Sequence, residues 1–491
     1  MRELIRCRGA LPVREPRADS RRRSVEGSAW FSGLTVCFAL AAVLACGSEP
    51  EPPSATLDPS RPFGAVVFLL DTVRADRVSS YGYERLTTPA IDALAERGVL
   101  FEQVSSFSSW TLPSAVALLS GDYPALVLDD DMEMQRSLAE SLSEAGYRTA
   151  AFTEGAFVSR RWGMDRGFRH YHETDRPTLV EKGGSDVEGT FAAASQWLRD
   201  NAASPFFMLI HTYEAHIPYR NRDFVGDRVL ERIGPSFELA LKREIENGEI
   251  NLTEAEASYI RDLYDSDIRS ADRYVGEFVE LLAELGLAER TLVVVTSDHG
   301  EDMGDRFRGH IGGHGHSLHD DLLLVPLVIH DPTRRFAKRR VDVQVRTLDV
   351  LPTVADLLGV ALDGDIAGRS LLPVMMGDEA EHRVAMAGEI RRGTARIALR
   401  DGRYKYIAAI EKGPPANEMP GPPVPRVQLY DLEADPGETT NLARKRPQLA
   451  RQLARQLANW FNGLDGPPVE VKTGELDEKL RKRLKALGYT D

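Results

Sequence analysis

Cysteine is nearly absent from this 491-residue chain: Cys7, Cys37 and Cys46 are the only three. Everything after residue 46 therefore lacks a disulfide, a thiolate metal site and a cysteine nucleophile. Positive charge is also in short supply. With 61 Lys+Arg against 75 Asp+Glu the formal net charge is −14, which argues against a nucleic-acid binder, since those carry a basic field. Gly (40) and Pro (28) are too few for a collagenous or low-complexity chain. What remains is a globular composition, 42% hydrophobic and 28% charged, able to bury a sizeable core. The length allows two to three domains at about 150 residues each.

The amino terminus is a separate object. Arg21, Arg22 and Arg23 precede an uncharged apolar stretch over residues 30–45, shorter than the roughly 20 residues of a membrane span. A basic segment followed by an apolar one and small residues describes an export signal. Val43-Leu44-Ala45-Cys46-Gly47 resembles the lipobox of bacterial lipoproteins, which implies lipidation at Cys46, although Leu44 is bulkier than usual there. The alternative is a single uncleaved anchor. Either one puts the rest of the chain outside the cytoplasm, held to a membrane and facing the periplasm or cell exterior. Residues 48–62 are rich in Pro, Ser and Glu and suit a flexible tether. The expected organisation is a leader or anchor (1–46), a tether (47–62), a catalytic domain (63–380) and a C-terminal subdomain with a helical tail (381–491).

Three apolar runs end in polar, chemically capable residues. Ala65-Val66-Val67-Phe68-Leu69-Leu70 leads into Asp71, and Phe206-Phe207-Met208-Leu209-Ile210 leads into His211. Leu292-Val293-Val294-Val295 leads through Thr296-Ser297 into Asp298-His299. Continuous runs of this kind suit strands buried on both faces of a largely parallel sheet. Ionisable groups at the carboxyl ends of such strands mark the usual ligand crevice. Helical signals lie between them, with Thr88-Pro89 as cap and first turn and Gly98 as a stop, then Leu138, Leu142 and Ala145 on one face before Gly146. The class is α/β. After about residue 380, strand-like 403–407 and 427–430 flank a proline-rich stretch, with helical patterns near 444–461 and 474–487. A small antiparallel sheet with helices is expected there, as scaffold.

Residues 110–121 read as a helix with Pro113 in its first turn and Gly121 at its end, which sets Thr111 near the amino end. Unpaired N–H groups and the positive dipole end there favour a developing alkoxide or a bound anion. On its own, such a threonine is more often a helix cap.

Its context resembles the sulfatase family of the alkaline phosphatase superfamily. Leu70-Asp71-Thr72-Val73-Arg74-Ala75-Asp76 is similar to that family's first metal-ligand motif, and residues 111–121 to its nucleophile motif. Thr296-Ser297-Asp298-His299-Gly300-Glu301 is similar to the second metal motif. Leu429-Tyr430-Asp431-Leu432, Asp435-Pro436-Gly437-Glu438 and Asn441-Leu442 resemble its carboxy-terminal tag. The resemblance implies an alkaline-phosphatase-like fold, with a large, mostly parallel sheet flanked by helices and a smaller C-terminal α+β subdomain. It also implies that Asp71, Thr111, Asp298 and His299 ring one divalent metal ion. Such a set can lower the pKa of a coordinated hydroxyl and neutralise a substrate oxyanion.

Two departures alter the chemistry. The family's nucleophile position carries Cys or Ser, oxidised to formylglycine and followed by Pro and Arg; here it is Thr111, with Ala115 in the Arg position. Threonine cannot yield that aldehyde, and Ser109 lacks the proline two residues on, so no formylglycine is expected. A threonyl ester must instead be broken by a second attack at phosphorus or sulfur. Threonine nucleophiles in related families serve phosphodiesterases, phosphomutases and phosphoglycerol or phosphoethanolamine transferases. Asp298-His299 stands where calcium-dependent members often have Asp-Asn, and imidazole shifts the preference from calcium towards zinc or manganese.

His211-Thr212-Tyr213-Glu214-Ala215-His216 resembles the family's strand-end motif, which implies His211 and His216 as substrate contacts, with His216 an anion contact or general acid. In the His/Gly-rich stretch 309–318, His314 matches the family's active-site position best and His316 second. A second metal there stays open. Gly163-Met164-Asp165-Arg166-Gly167-Phe168 resembles the threonine-type relatives. The expectation is an exported, metal-dependent hydrolase of a phosphate or sulfate ester, on a small molecule, glycan or lipid headgroup. Thr111 attacks, and His216 or His314 protonates the leaving oxygen. Alternatives are a sulfatase without formylglycine, a phosphoethanolamine- or phosphoglycerol-type transferase, and a non-catalytic anion-binding lipoprotein on the same scaffold.

Overall fold

The computed structural model describes residues 58, 60–124, 134, 136–174, 184–306, 310–333, 336, 339–389, 395–409 and 425–463. All lie in one compact unit, Pro52–Asp491. Cys46 and the rest of the leader, the tether through residue 57 and the helix expected over 474–487 fall outside the described residues. The first described residues are already tied to the body, since Arg61 Nη1 donates to the Asp356 carbonyl at 2.9 Å.

The three apolar runs form the centre of a nine-stranded sheet. Strand β1 (Gly64–Leu70) pairs in parallel with both β5 (Phe206–Thr212) and β6 (Thr291–Ser297). With β2 (Val99–Ser105), β3 (Arg148–Thr153), β4 (His170–Glu173), β9 (Leu324–His330), β10 (Arg339–Val341) and β11 (Val345–Arg346), the order is β10-β2-β9-β6-β1-β5-β3-β4, with β11 beside β2. Only β9 runs antiparallel to its neighbours; β7 (Asp302–Met303) and β8 (Ile311–Gly313) form a separate two-stranded ladder. Pro326 of β9 sits where the β2 pairing shifts register, between Phe101 and Val104. A proline is tolerated at such an irregularity because no ladder N–H is needed there.

Why the runs are uninterrupted is visible in β1. Ala65, Val67 and Leu69 enter one core; Val66, Phe68 and Leu70 enter the other, on the opposite face. The first core is closed by α2 (Thr111–Ser120), α3 (Leu138–Glu144), α8 (Val350–Leu358) and the short α9 (Leu372–Met376). The second is closed by α1 (Pro89–Arg97), α4 (Val187–Asn201) and the long α6 (Glu254–Glu284), while α5 (Leu239–Glu246) packs at its margin. A strand buried on both faces has no polar side to present.

One helix start departs from expectation. Thr88 stands at the N-cap of α1, but its side chain makes no cap bond. The N–H groups of Ala90 and Ile91 donate instead to the carboxylate of Asp272, on α6, at 3.0 and 2.9 Å. A charged acceptor from a neighbouring helix has displaced the local hydroxyl.

The carboxy-terminal sheet has four antiparallel strands rather than the two expected: β12 (Ala385–Glu389), β13 (Arg396–Arg400), β14 (Tyr404–Ala409) and β15 (Val427–Asp431). One face packs on Leu318 and Leu323 of the main body, the other on Leu453 and Leu457 of α10 (Pro447–Gly463). No helix among the described residues is long and apolar enough to cross a membrane.

Candidate active site at the strand ends

Because β1, β5 and β6 are parallel and in register, Leu69 lies beside both His211 and Thr296, and the three strands deliver their last residues to one edge. Asp71 follows β1, His211 is the penultimate residue of β5, and Asp298 and His299 follow β6. Thr111 is the first residue of α2, after an N-cap, Trp110, whose side chain makes no cap bond. The Thr111 hydroxyl is turned to the strand ends, with Oγ1 3.2 Å from Asp71 Oδ2 and 3.4 Å from His299 Nε2. Ser106 fastens this helix to β6: its hydroxyl donates to the Asp298 carbonyl at 2.5 Å and lies 3.1 Å from Ser114 Oγ in the first turn of α2.

Thr72 ties the Asp298 carboxylate to the Asp71 main chain at a cost in backbone strain. It adopts φ 60°, a left-handed conformation that is unfavourable for a β-branched residue. In return its N–H reaches Asp298 Oδ1 at 3.2 Å and its hydroxyl donates to the Asp71 carbonyl at 2.7 Å. Asp298 Oδ1 also accepts from the His299 N–H at 2.8 Å.

The donor set fits a divalent cation. Single ligand atoms of Asp71, Asp298 and His299 lie within 4.8 Å of one another, and all three residues are buried. Asp71 Oδ1 and Asp298 Oδ2 have no hydrogen-bond partner among the described residues. Burial first, and the neighbouring Asp298 second, push the Asp71 carboxyl well above the usual carboxylate range. Two buried, facing carboxylates call for a positive charge between them.

Three histidines present the same ring nitrogen. Nδ1 of His299 bonds the Gly300 carbonyl at 2.8 Å, Nδ1 of His216 the Ile217 carbonyl at 2.6 Å, and Nδ1 of His314 the Glu301 carboxylate at 2.9 Å. An acceptor at Nδ1 requires the N–H there, leaving Nε2 for ligation or proton work. The rings form a chain: His314 is 4.5 Å from His299 and 5.1 Å from His216, centroid to centroid. His211 Nε2 lies 3.4 Å from Asp71 Oδ2. His316 is placed differently, with Nε2 3.1 Å from Asp302 Oδ2 and its ring 5.3 Å from that of His310. Of the two candidates in that stretch, His314 packs on His299.

The sequence reading assigned no role to Glu301, Asp302 or Tyr219. Glu301 is fully buried, and its second oxygen accepts from Tyr219 OH at 3.0 Å. The signal was there, since Glu301 closes the second metal motif, but its partner was not. A cavity of about 1070 Å³ lies elsewhere, lined by Arg74, Arg77, Tyr83, Arg306, Tyr430 and Glu438 among others; none of the residues around Thr111 lines it.

The sulfatase family profile matches residues 65–360, more than half the chain and both metal motifs. The chain belongs to the sulfatase family. It is thus an ester hydrolase of a family that uses a metal ion, on an alkaline-phosphatase-like fold. Among its relatives, the Delta 4,5-hexuronate-2-O-sulfatase of Bacteroides thetaiotaomicron is 26% identical over 472 residues, covering 84% of this chain and 91% of that protein. The choline-sulfatase of Rhizobium meliloti is 26% identical over 423 residues, covering 73% and 78%. The phosphonate monoester hydrolase of Agrobacterium radiobacter superposes with TM-score 0.63 at 23% identity, covering 82% of this chain and 96% of that one. Within the matched span of this sulfatase-family member, Thr111 and Ala115 are both fully buried.

Proposed function

We propose that this protein is an exported hydrolase that cleaves a phosphate ester through Thr111. The reading is carried by one observation: the Thr111 hydroxyl, at the amino end of α2, lies at 3.2 Å from Asp71 and 3.4 Å from His299. Asp71, Asp298 and His299 would hold a divalent ion, zinc or manganese before calcium, and when bound it supplies charge that favours the alkoxide and screens the ester oxygens. Thr111 Oγ1 attacks phosphorus in line, and the N–H groups at the start of α2 face the transferring group. His211 and His216 contact it from β5 and the turn after it. Either His216 or His314 gives the leaving oxygen its proton, and water then attacks phosphorus in the phosphothreonine, which frees Thr111 Oγ1 and releases the phosphate product.

Phosphorus is preferred because a threonyl ester has no carbonyl route to release its anion and must be attacked again. A specific observation favours a second reading, hydrolysis of a sulfate ester on a glycan or small molecule: the sequence relatives are named for sulfate esters. The test is a metal-supplemented screen of phosphodiester, phosphomonoester, phosphonate and sulfate esters with wild type and Thr111→Ala. Turnover should be highest on a phosphorus ester and fall roughly 10³-fold or more in the variant. Full activity in Thr111→Ala overturns the mechanism, and a sulfate preference selects the second reading. Anchoring through a lipid on Cys46 belongs to the same proposal. Labelled palmitate should enter wild type and not Cys46→Ala.

A further inference from the structure

Three of the imidazoles at the site pack ring to ring, and their Nδ1 partners are not of one kind. His299 and His216 are held by main-chain carbonyls, Gly300 and Ile217. Nδ1 of His314 is held by a carboxylate, Glu301 Oε1 at 2.9 Å. That carboxylate is fully buried, and its other oxygen accepts from Tyr219 OH at 3.0 Å. A phenol facing a carboxylate can only donate, so Oε2 is committed to Tyr219 and Oε1 to the imidazole. Glu301 is itself fixed from the main chain, because the buried Arg74 donates from Nη1 to its carbonyl at 3.1 Å. Tyr219 is fully buried and stacks on Phe237, 5.8 Å between centroids. The result is a rigid Tyr219–Glu301–His314 series whose far end packs on both other imidazoles.

We infer that Glu301 is the positioning residue that makes His314, and not His216, the proton donor to the leaving oxygen. The inference rests on the proposed Thr111 reaction and resolves the choice that reading left open. A carboxylate on Nδ1, itself held by Tyr219, fixes the ring's tautomer and orientation and keeps Nε2 aimed at the site, with a stronger hydrogen bond than a single main-chain carbonyl makes. As the bond from phosphorus to the leaving oxygen breaks, its electron pair goes to that oxygen. The proton on His314 Nε2 moves to the same oxygen, while the Nδ1 proton stays on the bond to Glu301. The neutral imidazole then takes a proton from the water that attacks phosphorus in the phosphothreonine, which restores the starting state. His216, held by a carbonyl, serves as a hydrogen-bonding contact to the transferring group.

The test uses metal-supplemented full-length protein and a series of methyl aryl phosphodiesters whose phenols range from para-nitrophenol to unsubstituted phenol. A good leaving group needs no proton and a poor one does. Glu301→Gln keeps the shape of the dyad and removes its charge. It should lower kcat on the phenyl ester by about 10²-fold and leave the para-nitrophenyl ester within a few-fold of wild type. Tyr219→Phe, which removes one hydrogen bond, should steepen the dependence on leaving group in the same direction and carries the test if Glu301→Gln does not fold. His216→Asn should slow all the esters alike. An equal loss across the series in Glu301→Gln or Tyr219→Phe marks a merely structural role and overturns the inference. So does a loss selective for poor leaving groups in His216→Asn. Failure of the underlying reaction reads out separately, as unchanged turnover of every ester by Thr111→Ala.

Discussion

Gly300 stands between His299 and Glu301, so one residue couples a ligand candidate to the series behind His314. A Cβ there would run into the main-chain oxygen of Asp321, with the Arg74 side chain close behind. Backbone cannot step aside as a flexible side chain does, so Gly300→Ala should lower stability by about 1–3 kcal/mol. It should also reduce turnover on every ester alike. Urea unfolding and steady-state rates check both, and wild-type values in either would show that the turn is less constrained than described. At this scale the sequence was most legible. Asp71, Thr111, Asp298 and His299 were named from ordered motifs, and the structure brings all four together. What could not be seen was which ring nitrogen each histidine offers, because that depends on acceptors such as Ile217 O and Glu301 Oε1 that only folding aligns.

Single helices and strands show where pattern runs out. The runs behind β1, β5 and β6 were legible because both faces of each strand are buried. Strands β12 and β13 were not. Ala385–Glu389 has alanine or glycine at three of its five positions, and Arg396–Arg400 begins and ends in arginine; Arg400 is buried against Asp320, Nε to Oδ2 at 3.2 Å, and against the side-chain carbonyls of Gln103 and Gln344. The antiparallel sense of β9 leaves no mark on its sequence either. The start of α1 at Thr88-Pro89 was legible, but the acceptor of its first N–H groups, Asp272, was not, because it lies far along the chain. Asp272→Ala should cost about 1–2 kcal/mol by denaturant unfolding, in the range of a lost helix cap. Burial pushes the Asp272 carboxyl up to about 6 from 3.8. The fold therefore disfavours its ionised form, and this contribution to stability declines as pH rises from about 4 to 6. Asp272→Asn cannot ionise and should show a flatter stability profile across that window, whereas an unchanged profile would assign the slope to other groups.

Across the whole molecule, the carboxy-terminal sheet is joined to the catalytic body through a buried charge cluster. Lys405, fully buried on β14, reaches Asp320 at 2.6 Å and Glu438 at 3.0 Å. Asp320 belongs to the short helix α7 (Asp320–Leu323), and its N–H donates to Glu438 Oε2 at 2.7 Å. Lys405→Met removes the cation shared by the two carboxylates, leaving Asp320 to Arg400 and Glu438 to Arg306, and should cost about 3–5 kcal/mol in a melting or denaturant experiment. Burial alone would raise the Asp320 carboxyl, but Arg400 and Lys405 outweigh it and hold it at about 2. A depressed carboxylate stabilises the fold above its unfolded value of 3.8, and that stability is lost as pH falls towards about 2. Acid unfolding should therefore begin below pH about 4 and shift upward in Lys405→Met; equal acid midpoints for the two proteins would remove the cluster from the account.

Thr111 Oγ1 is the atom on which the proposed reaction turns. The most direct measurement is acid quenching of metal-supplemented enzyme during turnover of methyl para-nitrophenyl phosphate, followed by peptide mass spectrometry. The account expects a methylphosphoryl ester on Thr111 itself. A peptide carrying Thr111 that stays unmodified at every time point, while the substrate is consumed and product accumulates, would contradict it.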